Sequence, residues 1–397
     1  MVNYSYPAME RTMKIQEVLL RAMSKQITWI DAAEIIGISC RTMRRWKNRY
    51  EERGYDGLFD RRKRRPSPKR VPLKTVERVL QLYRKQYSDL NVKHFHEKLT
   101  EVHQIKLSYP WVKTALQTAG LVAKAQTKGK HRKQRPRRPL VGMMLHLDGS
   151  THAWLPLLLD QTQDLLVLCD DANTEMYDAC LVDEEDTHSC MSLLRHVVEE
   201  KGIFCSLYTD RGSHFFLTPK AGQPVDTHQP TQIARALREL NIQPIAAYSP
   251  QARGRSERLF GTLQGRWPQE FRLAGVRSLD QANLLIREKL IPDYNHRFKV
   301  TPTQQGSAFI PANGIDLDRV FCLKHARTVA NDNTVSYGNR ILQIQPSPLR
   351  ISFAKCRVMV NEHLNGTLSI VYGPHTLGRF HNDGSLILST LKLKNAA

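Results

Sequence analysis

The sequence predicts a multidomain chain: all-α helix-turn-helix modules at the front, an α/β core of five strands, and a small β-barrel at the end. Three observations carry that expectation. Up to Leu121, apolar residues recur at helical spacing and are interrupted by turns, several with glycine. From Val141 strand-like and helix-like stretches alternate, and beyond Pro311 short strands are separated by Gly and Asn turn signals. The boundaries follow from these changes of texture. Residues 10–60 form a helix-turn-helix domain, 61–72 a basic arm, and 73–121 a second helix-turn-helix-like domain. Residues 122–140 form a basic linker, 141–305 the α/β core, and 312–397 the barrel.

At the front, Trp29 to Ile36 has an apolar helical face that Gly37 and Ile38 break. Ser39 caps a following helix that carries Arg41, Arg44, Arg45 and Trp46. A helix, a Gly-containing turn and an Arg-rich helix make the helix-turn-helix pattern, whose second helix enters a DNA groove. The stretch Arg61 to Arg70 has seven basic residues and two prolines, so it cannot pack as an element. Arg61, Arg62, Lys63, Arg64 and Arg65 read as an arm lying along DNA.

In the second block, Val76, Val79, Leu80 and Tyr83 recur at helical spacing. Two more helices follow around a break at Ile105 to Leu107, and the last begins with Tyr109, Trp111 and Lys113 and ends at Gly120. His94, His96 and His103 have no cysteine nearby, so they read as exposed or capping residues rather than zinc ligands. The run Ala123 to Pro139 then holds eight Lys or Arg and no acid, with Arg132, Lys133 and Arg135 as phosphate contacts.

Lys and Arg number 59 against 38 Asp and Glu, a formal charge of +21. Because the excess is clustered, it points to a polyanionic partner, and nucleic acid is the commonest. The seven cysteines form no CxxC pair, which argues against a disulfide framework or thiolate zinc site and for a reducing compartment. The chain opens on no apolar signal core, and no run reaches the roughly 18 apolar residues of a membrane span. A cytoplasmic protein without a membrane partner is therefore expected.

In the core, strands are expected at Met143–Leu147, Leu165–Cys169, Met176–Val182, Ile203–Thr209 and Pro244–Tyr248. Helices are expected at His188–Lys201, Thr231–Leu240, Ser256–Arg272 and Asp280–Phe298. Asp148 and Asp210 follow apolar strands, each with a glycine close behind where the chain is expected to turn near substrate, and Glu257 lies on a helix. Phosphoryl transfer on DNA needs one oxygen activated and another stabilised, which two divalent cations do together. Hard cations take carboxylate ligands, best held at the ends of rigid elements. A carboxylate buried without a partner or metal is costly.

The stretches His146-Leu147-Asp148-Gly149, Tyr208-Thr209-Asp210-Arg211-Gly212-Ser213-His214-Phe215 and Tyr248-Ser249-Pro250-Gln251-Ala252-Arg253-Gly254-Arg255-Ser256-Glu257-Arg258 occur in that order. Downstream come Tyr294-Asn295-His296-Arg297 and Thr301-Pro302. Across residues 140–305 this set resembles the integrase-core transposases of bacterial insertion sequences, of the retroviral-integrase superfamily. The resemblance implies a ribonuclease-H-like core on a mixed five-stranded sheet. It implies that Asp148, Asp210 and Glu257 ligate two Mg²⁺ or Mn²⁺ ions. Water, and then the freed 3′-hydroxyl of an element end, would attack phosphorus in line without a covalent enzyme intermediate. The partners implied are double-stranded DNA, both terminal repeats and target, and further copies of the chain as a dimer or tetramer, in a bacterial, nucleoid-associated setting. Arg253 would share the helix face of Glu257 and contact the scissile strand, while Asn173 and His214 read first as a turn-former and a loop polar residue. In one respect the chain departs from the family: 46 residues separate Asp210 from Glu257, longer than usual, and the loop-like Phe216 to Thr231 accounts for the excess. The alternatives are a catalytically inactive DNA-binding repressor or architectural protein, and a nuclease that cuts without joining.

Overall fold

The computed structural model describes residues 6–59, 70–124, 136–158, 161–217, 225–226, 229–248 and 254–387. The chain divides into two compact units, residues 1–81 and 82–397.

In the first unit, α1 (Tyr6–Met23), α2 (Trp29–Ile36) and α3 (Cys40–Arg53) surround one apolar cluster that includes Ile15, Leu19, Ala32, Met43 and Leu58. Thr28 and Asp31 form a capping box at the start of α2, and Gly37 ends that helix in the left-handed region, φ 73°. Ser39 then caps α3, as its spacing predicts. The helix α1 is an element beyond the expected pair. Its buried residues Ile15, Val18, Leu19 and Ala22 lie three and four apart, the signal that marks it.

Helix α4 (Leu73–Gln86) leads to α5 (Val92–Glu101) and α6 (Tyr109–Thr118). Phe95 is fully buried against Tyr83 and Tyr87, with ring centroids 5.0 and 5.7 Å away. Helix α5 packs with the α/β core in the second unit, and the contact is ionic. The Glu270 carboxylate accepts from His94 Nε2 at 2.6 Å and Lys98 Nζ at 2.6 Å, with Lys289 Nζ at 3.2 Å. Glu97 accepts from Arg266 at 2.7 Å and also pairs with Arg297. His94 is therefore buried, against the expectation of an exposed or capping residue. His96 bonds the Leu107 carbonyl at 2.7 Å, and His103 bonds Tyr87 Oη at 3.0 Å.

The core sheet has five strands: β1 (Leu145–His152), β2 (Gln163–Asp170), β3 (Met176–Val182), β4 (Ser206–Thr209) and β5 (Gln243–Ala246). Their order is β3-β2-β1-β4-β5. The first three are antiparallel, while β4 runs parallel to both β1 and β5, so the sheet is mixed. On one face, Leu145 and Leu147 pack against α7 (Thr187–Lys201) and α8 (Gln232–Glu239). On the other, Leu165 and Val167 pack against Phe260 and Leu263 of α9 (Gly254–Gln264). The long helix expected at 256–272 is two, α9 and α10 (Trp267–Ala274), with the chain redirected at Arg266, φ −139°. The next stretch holds α11 (Leu279–Leu285), a π-helical turn at Ile286–Leu290, and α12 (Ile291–Phe298).

After the short α13 (Leu317–Val320) come β6 (Cys322–Thr328), β7 (Thr334–Tyr337), β8 (Arg340–Gln343), β9 (Arg357–His363), β10 (Leu368–Tyr372) and β11 (His375–Phe380). Among the described residues they pair as a four-stranded sheet, β11-β10-β9-β6, and a separate β7-β8 hairpin. The two sheets share a core of Val335, Leu342, Val358, Val360 and Ile370. That arrangement packs one sheet on another, where a hydrogen-bonded barrel was expected.

Candidate active site

The geometry of the three acids begins with strand alternation. Successive side chains on a strand point to opposite faces. Asp148 lies opposite Val167, and Ser150 opposite Leu165. Directly opposed residues share a face, so Asp148 and Ser150 face the helix α9 that covers Val167 and Leu165. Gln264 of α9 confirms the placement by donating to Ser150 Oγ at 3.1 Å. Asp148 itself is 9% exposed.

His146 pairs with Tyr208 on the parallel neighbour β4, and their rings lie 5.0 Å apart. Asp148 and Asp210 each lie two residues beyond that pair, Asp210 just past the last residue of β4, so both stand at neighbouring positions of the two adjacent strands. The Asp210 Oδ1 accepts the amide of Gly212 at 2.9 Å, which curls the loop after β4 back on the carboxylate. Glu257 is exposed in the first turn of α9. It lies seven residues, or two turns, before Gln264 and on the same helical face. Asp148 and Glu257 therefore lie on the α9 side of the sheet, and Asp210 follows the end of the neighbouring strand. They are hard oxygen donors of the kind divalent cations prefer, so the residues present fit such ions.

Two expectations about this region change. The strand β1 does not stop at Asp148 but continues to His152. Only its ladder with β4 stops short, which is what leaves room beside Asp148. Nor does Gly149 mark a turn toward substrate. A Cβ there would meet Glu185 Oε2 and lie 3.1 Å from Leu166 Cδ2, so any larger residue would have to displace the Glu185 carboxylate that fills the space behind the strand.

Two buried acids that the sequence reading passed over hold the frame. Asp170 accepts the amides of Gly142 and Ala172, both at 2.7 Å, and the hydroxyl of Tyr177 at 3.1 Å. Burial pushes its carboxyl up, against those hydrogen bonds. Asp171 receives His146 Nε2 at 2.9 Å, the amide of Arg138 at 2.7 Å and the guanidinium of Arg255. Burial opposes its ionisation, but His146, the Arg138 amide and the Arg255 charge outweigh it and hold this carboxyl well below the usual carboxylate range. Arg255 stands two residues before Glu257, so Asp171 pins the start of α9 beside β1. The signal was present, since these acids follow the apolar run LLVLC just as Asp148 and Asp210 follow theirs.

The other predicted residues divide by location. Arg41, Arg44 and Arg45 are exposed on α3, and Lys113 is exposed on α6. Arg61, Arg62, Lys63, Arg64, Arg65, Arg132, Lys133, Arg135 and Arg253 lie outside the described residues, as does most of the loop from Phe216 to Thr231. Asn173 forms the turn after β2: its Oδ1 accepts the Glu175 amide at 2.9 Å. His214 belongs to a half-buried cluster. Its Nε2 bonds Glu185 Oε1 at 2.7 Å, and that hydrogen bond raises its pKa against burial, with help from the charges of Glu185, Asp210 and Asp186. Among the described residues, Glu185, Cys190 and His214 are the set of three whose ligand atoms fall within 4.8 Å of one another, and the three acids do not close to that spacing.

Helix-turn-helix modules ahead of a mixed five-stranded α/β core define the class of protein. The model of a helix-turn-helix domain matches residues 16–67, and that of a homeodomain-like domain matches residues 42–116. Among individual relatives, "Putative transposase y4bF" of Sinorhizobium fredii is 28% identical over 374 residues, covering 93% of this chain and 80% of its own. "Transposase for insertion sequence IS1202" of Streptococcus pneumoniae is 26% identical, covering 63% of this chain and 60% of its own. The chain is thus similar to one protein named as a putative transposase over nearly all of its length, and to another named as a transposase over 63% of it, in accord with the resemblance carried by its motifs. Among solved structures, a chain of the simian T-cell lymphotropic virus intasome in complex with PP2A regulatory subunit B56 gamma matches with a TM-score of 0.34 and 14% identity, over 78% of this chain and 97% of that one. No helix among the described residues is long and apolar enough to cross a membrane.

Proposed function

We propose that the chain is a DNA transposase that cleaves at insertion-sequence ends and transfers the freed 3′-hydroxyl into target DNA. The observation that supports this reading is that Asp148 and Asp210 stand at neighbouring positions of adjacent strands while Glu257 stands on the helix that covers the Asp148 face. These three would hold two Mg²⁺ or Mn²⁺ ions, which supply activation of the attacking oxygen and stabilisation of the leaving one. The chain's own residues set the frame. Strand β1 fixes Asp148, the Gly212 amide orients Asp210, and the Asp171–Arg255 pair anchors the helix that bears Glu257. Exposed Arg41, Arg44 and Arg45 on α3 suit the reading of the terminal repeat, and Lys113 on α6 suits a second contact with the same end. Two ends must be brought together, so the working assembly holds at least two copies on DNA.

The test is Glu257→Gln in the full chain, assayed on labelled element ends with Mg²⁺. DNA binding should persist while cleavage and joining fall by at least about 10³-fold, the scale of losing one charge-stabilising group. Undiminished joining by this variant would refute the assignment. A wild-type chain that binds ends but neither cuts nor joins would favour the repressor or architectural reading, and cutting without joining would favour a nuclease.

A further inference from the structure

Behind β1, on the face opposite Asp148, three side chains from separate segments meet. Glu185 comes from the connection between β3 and α7, Cys190 from α7, and His214 from the loop after β4. The Oε1 of Glu185 accepts from His214 Nε2 at 2.7 Å and from Cys190 Sγ at 3.7 Å. Its Oε2 fills the space that a side chain at position 149 would need. The backbone amide of Glu185 is tied in turn to Asp164 Oδ2 of β2 at 2.8 Å, so the carboxylate is anchored to the sheet.

His214 reaches the other way. A Cβ on Gly212 would lie 3.0 Å from Asp210 Oδ1 and 3.1 Å from His214 Cε1, so the carboxylate and the ring close on this glycine together. The same glycine donates its amide to Asp210. The loop that carries Asp210 is thus folded over His214, which is bonded to Glu185, which lies flat against the residue after Asp148.

From this chain of contacts we propose that Glu185 and His214 are a positioning pair: they tie the loop after β4 to the back of β1 and so set Asp210 relative to Asp148. The inference rests on the reading of those two acids given above. A pair placed so acts on metal affinity rather than on DNA affinity, because it orients a ligand and touches no phosphate.

The experiment compares the full-length chain with His214→Ala, His214→Gln, Glu185→Gln and Asp210→Asn. Calorimetry measures Mn²⁺ binding to each chain on end DNA, and 3′-end cleavage is followed against Mn²⁺ concentration. His214→Ala should raise both the Mn²⁺ Kd and the half-maximal Mn²⁺ concentration by about ten- to a hundredfold, the usual effect of removing a partner of a metal ligand. Affinity for end DNA should not change. His214→Gln, which keeps a donor of similar reach, should recover most of the loss. Glu185→Gln, which keeps the acceptor but not the charge, should shift the same quantities by less, and it serves if His214→Ala does not fold. Unchanged Mn²⁺ affinity in folded His214→Ala overturns the pair. So does stoichiometric Zn²⁺ binding that Cys190→Ser abolishes, because the three side chains would then be a metal site in their own right. Asp210→Asn separates the two levels. If it keeps Mn²⁺ binding and cleavage, the reading of the acids falls; if it loses them while His214→Ala matches wild type, the pair alone falls.

Discussion

In the first helical segment, α1, α2 and α3 close on a core of their own, with Leu19 and Met43 fully buried inside it. In the second, α5 turns Phe95 and Leu99 inward but presents His94, Glu97 and Lys98 to the α/β core. One segment is held by apolar packing within itself, the other by charges shared with a neighbour. The two kinds of attachment respond to different insults. Apolar packing is indifferent to pH in the carboxylate range, whereas a buried ion cluster fails when one member is removed or neutralised. Helix-turn-helix patterning alone does not distinguish them.

The largest effect is expected from Glu270→Ala. The Glu270 side chain is 10% exposed and gathers His94, Lys98 and Lys289, of which His94 is itself buried and Lys98 is 13% exposed. Removing it strands those donors and should cost about 3–5 kcal/mol, the range for breaking a buried ion pair from one side. Urea unfolding followed by a probe in the second unit should report this, while the first unit unfolds at its usual midpoint. A loss below about 1 kcal/mol, the level of an exposed salt bridge, would mean that the cluster is not what holds α5.

Acid should act on the same contact more gently. Burial opposes ionisation of Glu270, but hydrogen bonds from His94 and Lys98 and the charges of Lys98 and Lys289 prevail and hold its carboxyl well below the usual range. The pKa of Glu97 is lowered too, by Arg266, Arg297 and Lys93 against burial. A carboxyl whose pKa is lower folded than unfolded stabilises fully above the unfolded value, about 4.3 for Glu, and that contribution is lost as pH falls through the folded value. Amide exchange in α5 should therefore speed up between about pH 4 and the folded pKa before that in α3 does. Equal acceleration in both helices would remove the distinction between the two attachments.

Much of this was legible because punctuation marks element ends. Gly37 and Ser39 bound α2 and α3, and β3 runs from Met176 to Val182 as expected. The face of Asp148 follows from alternation once the register is known, and the motifs name all three acids beforehand. The register itself was not legible, so the run of β1 past Asp148 was missed. The burial of His94 was hidden for a related reason: its partner Glu270 is 176 residues away in sequence. Asp170 and Asp171 show the limit of reasoning from a buried acid alone. They satisfy the same test as Asp148 and Asp210, and backbone amides, a tyrosine, a histidine and an arginine tie them to the frame. Glu185 could be noticed only through the space it takes from Gly149.

The smallest effect probes the first segment. Thr28 Oγ1 accepts the Asp31 amide at 3.2 Å, and Asp31 Oδ2 accepts the Thr28 amide at 3.0 Å, so each residue satisfies a donor at the start of α2. Thr28→Ala removes the first bond and should cost about 1 kcal/mol. For a unit of this size that is a fall of about 4–8 °C in its melting transition. The bonds are exposed and local, and Thr28 lies outside the apolar cluster that closes the segment, so no contact in the second unit is altered. Calorimetry on the full chain should then show the first-unit transition moving alone. If both transitions move together, the two units melt as one, and the apolar core around Leu19 and Met43 is not sufficient to make the first segment independent of the second.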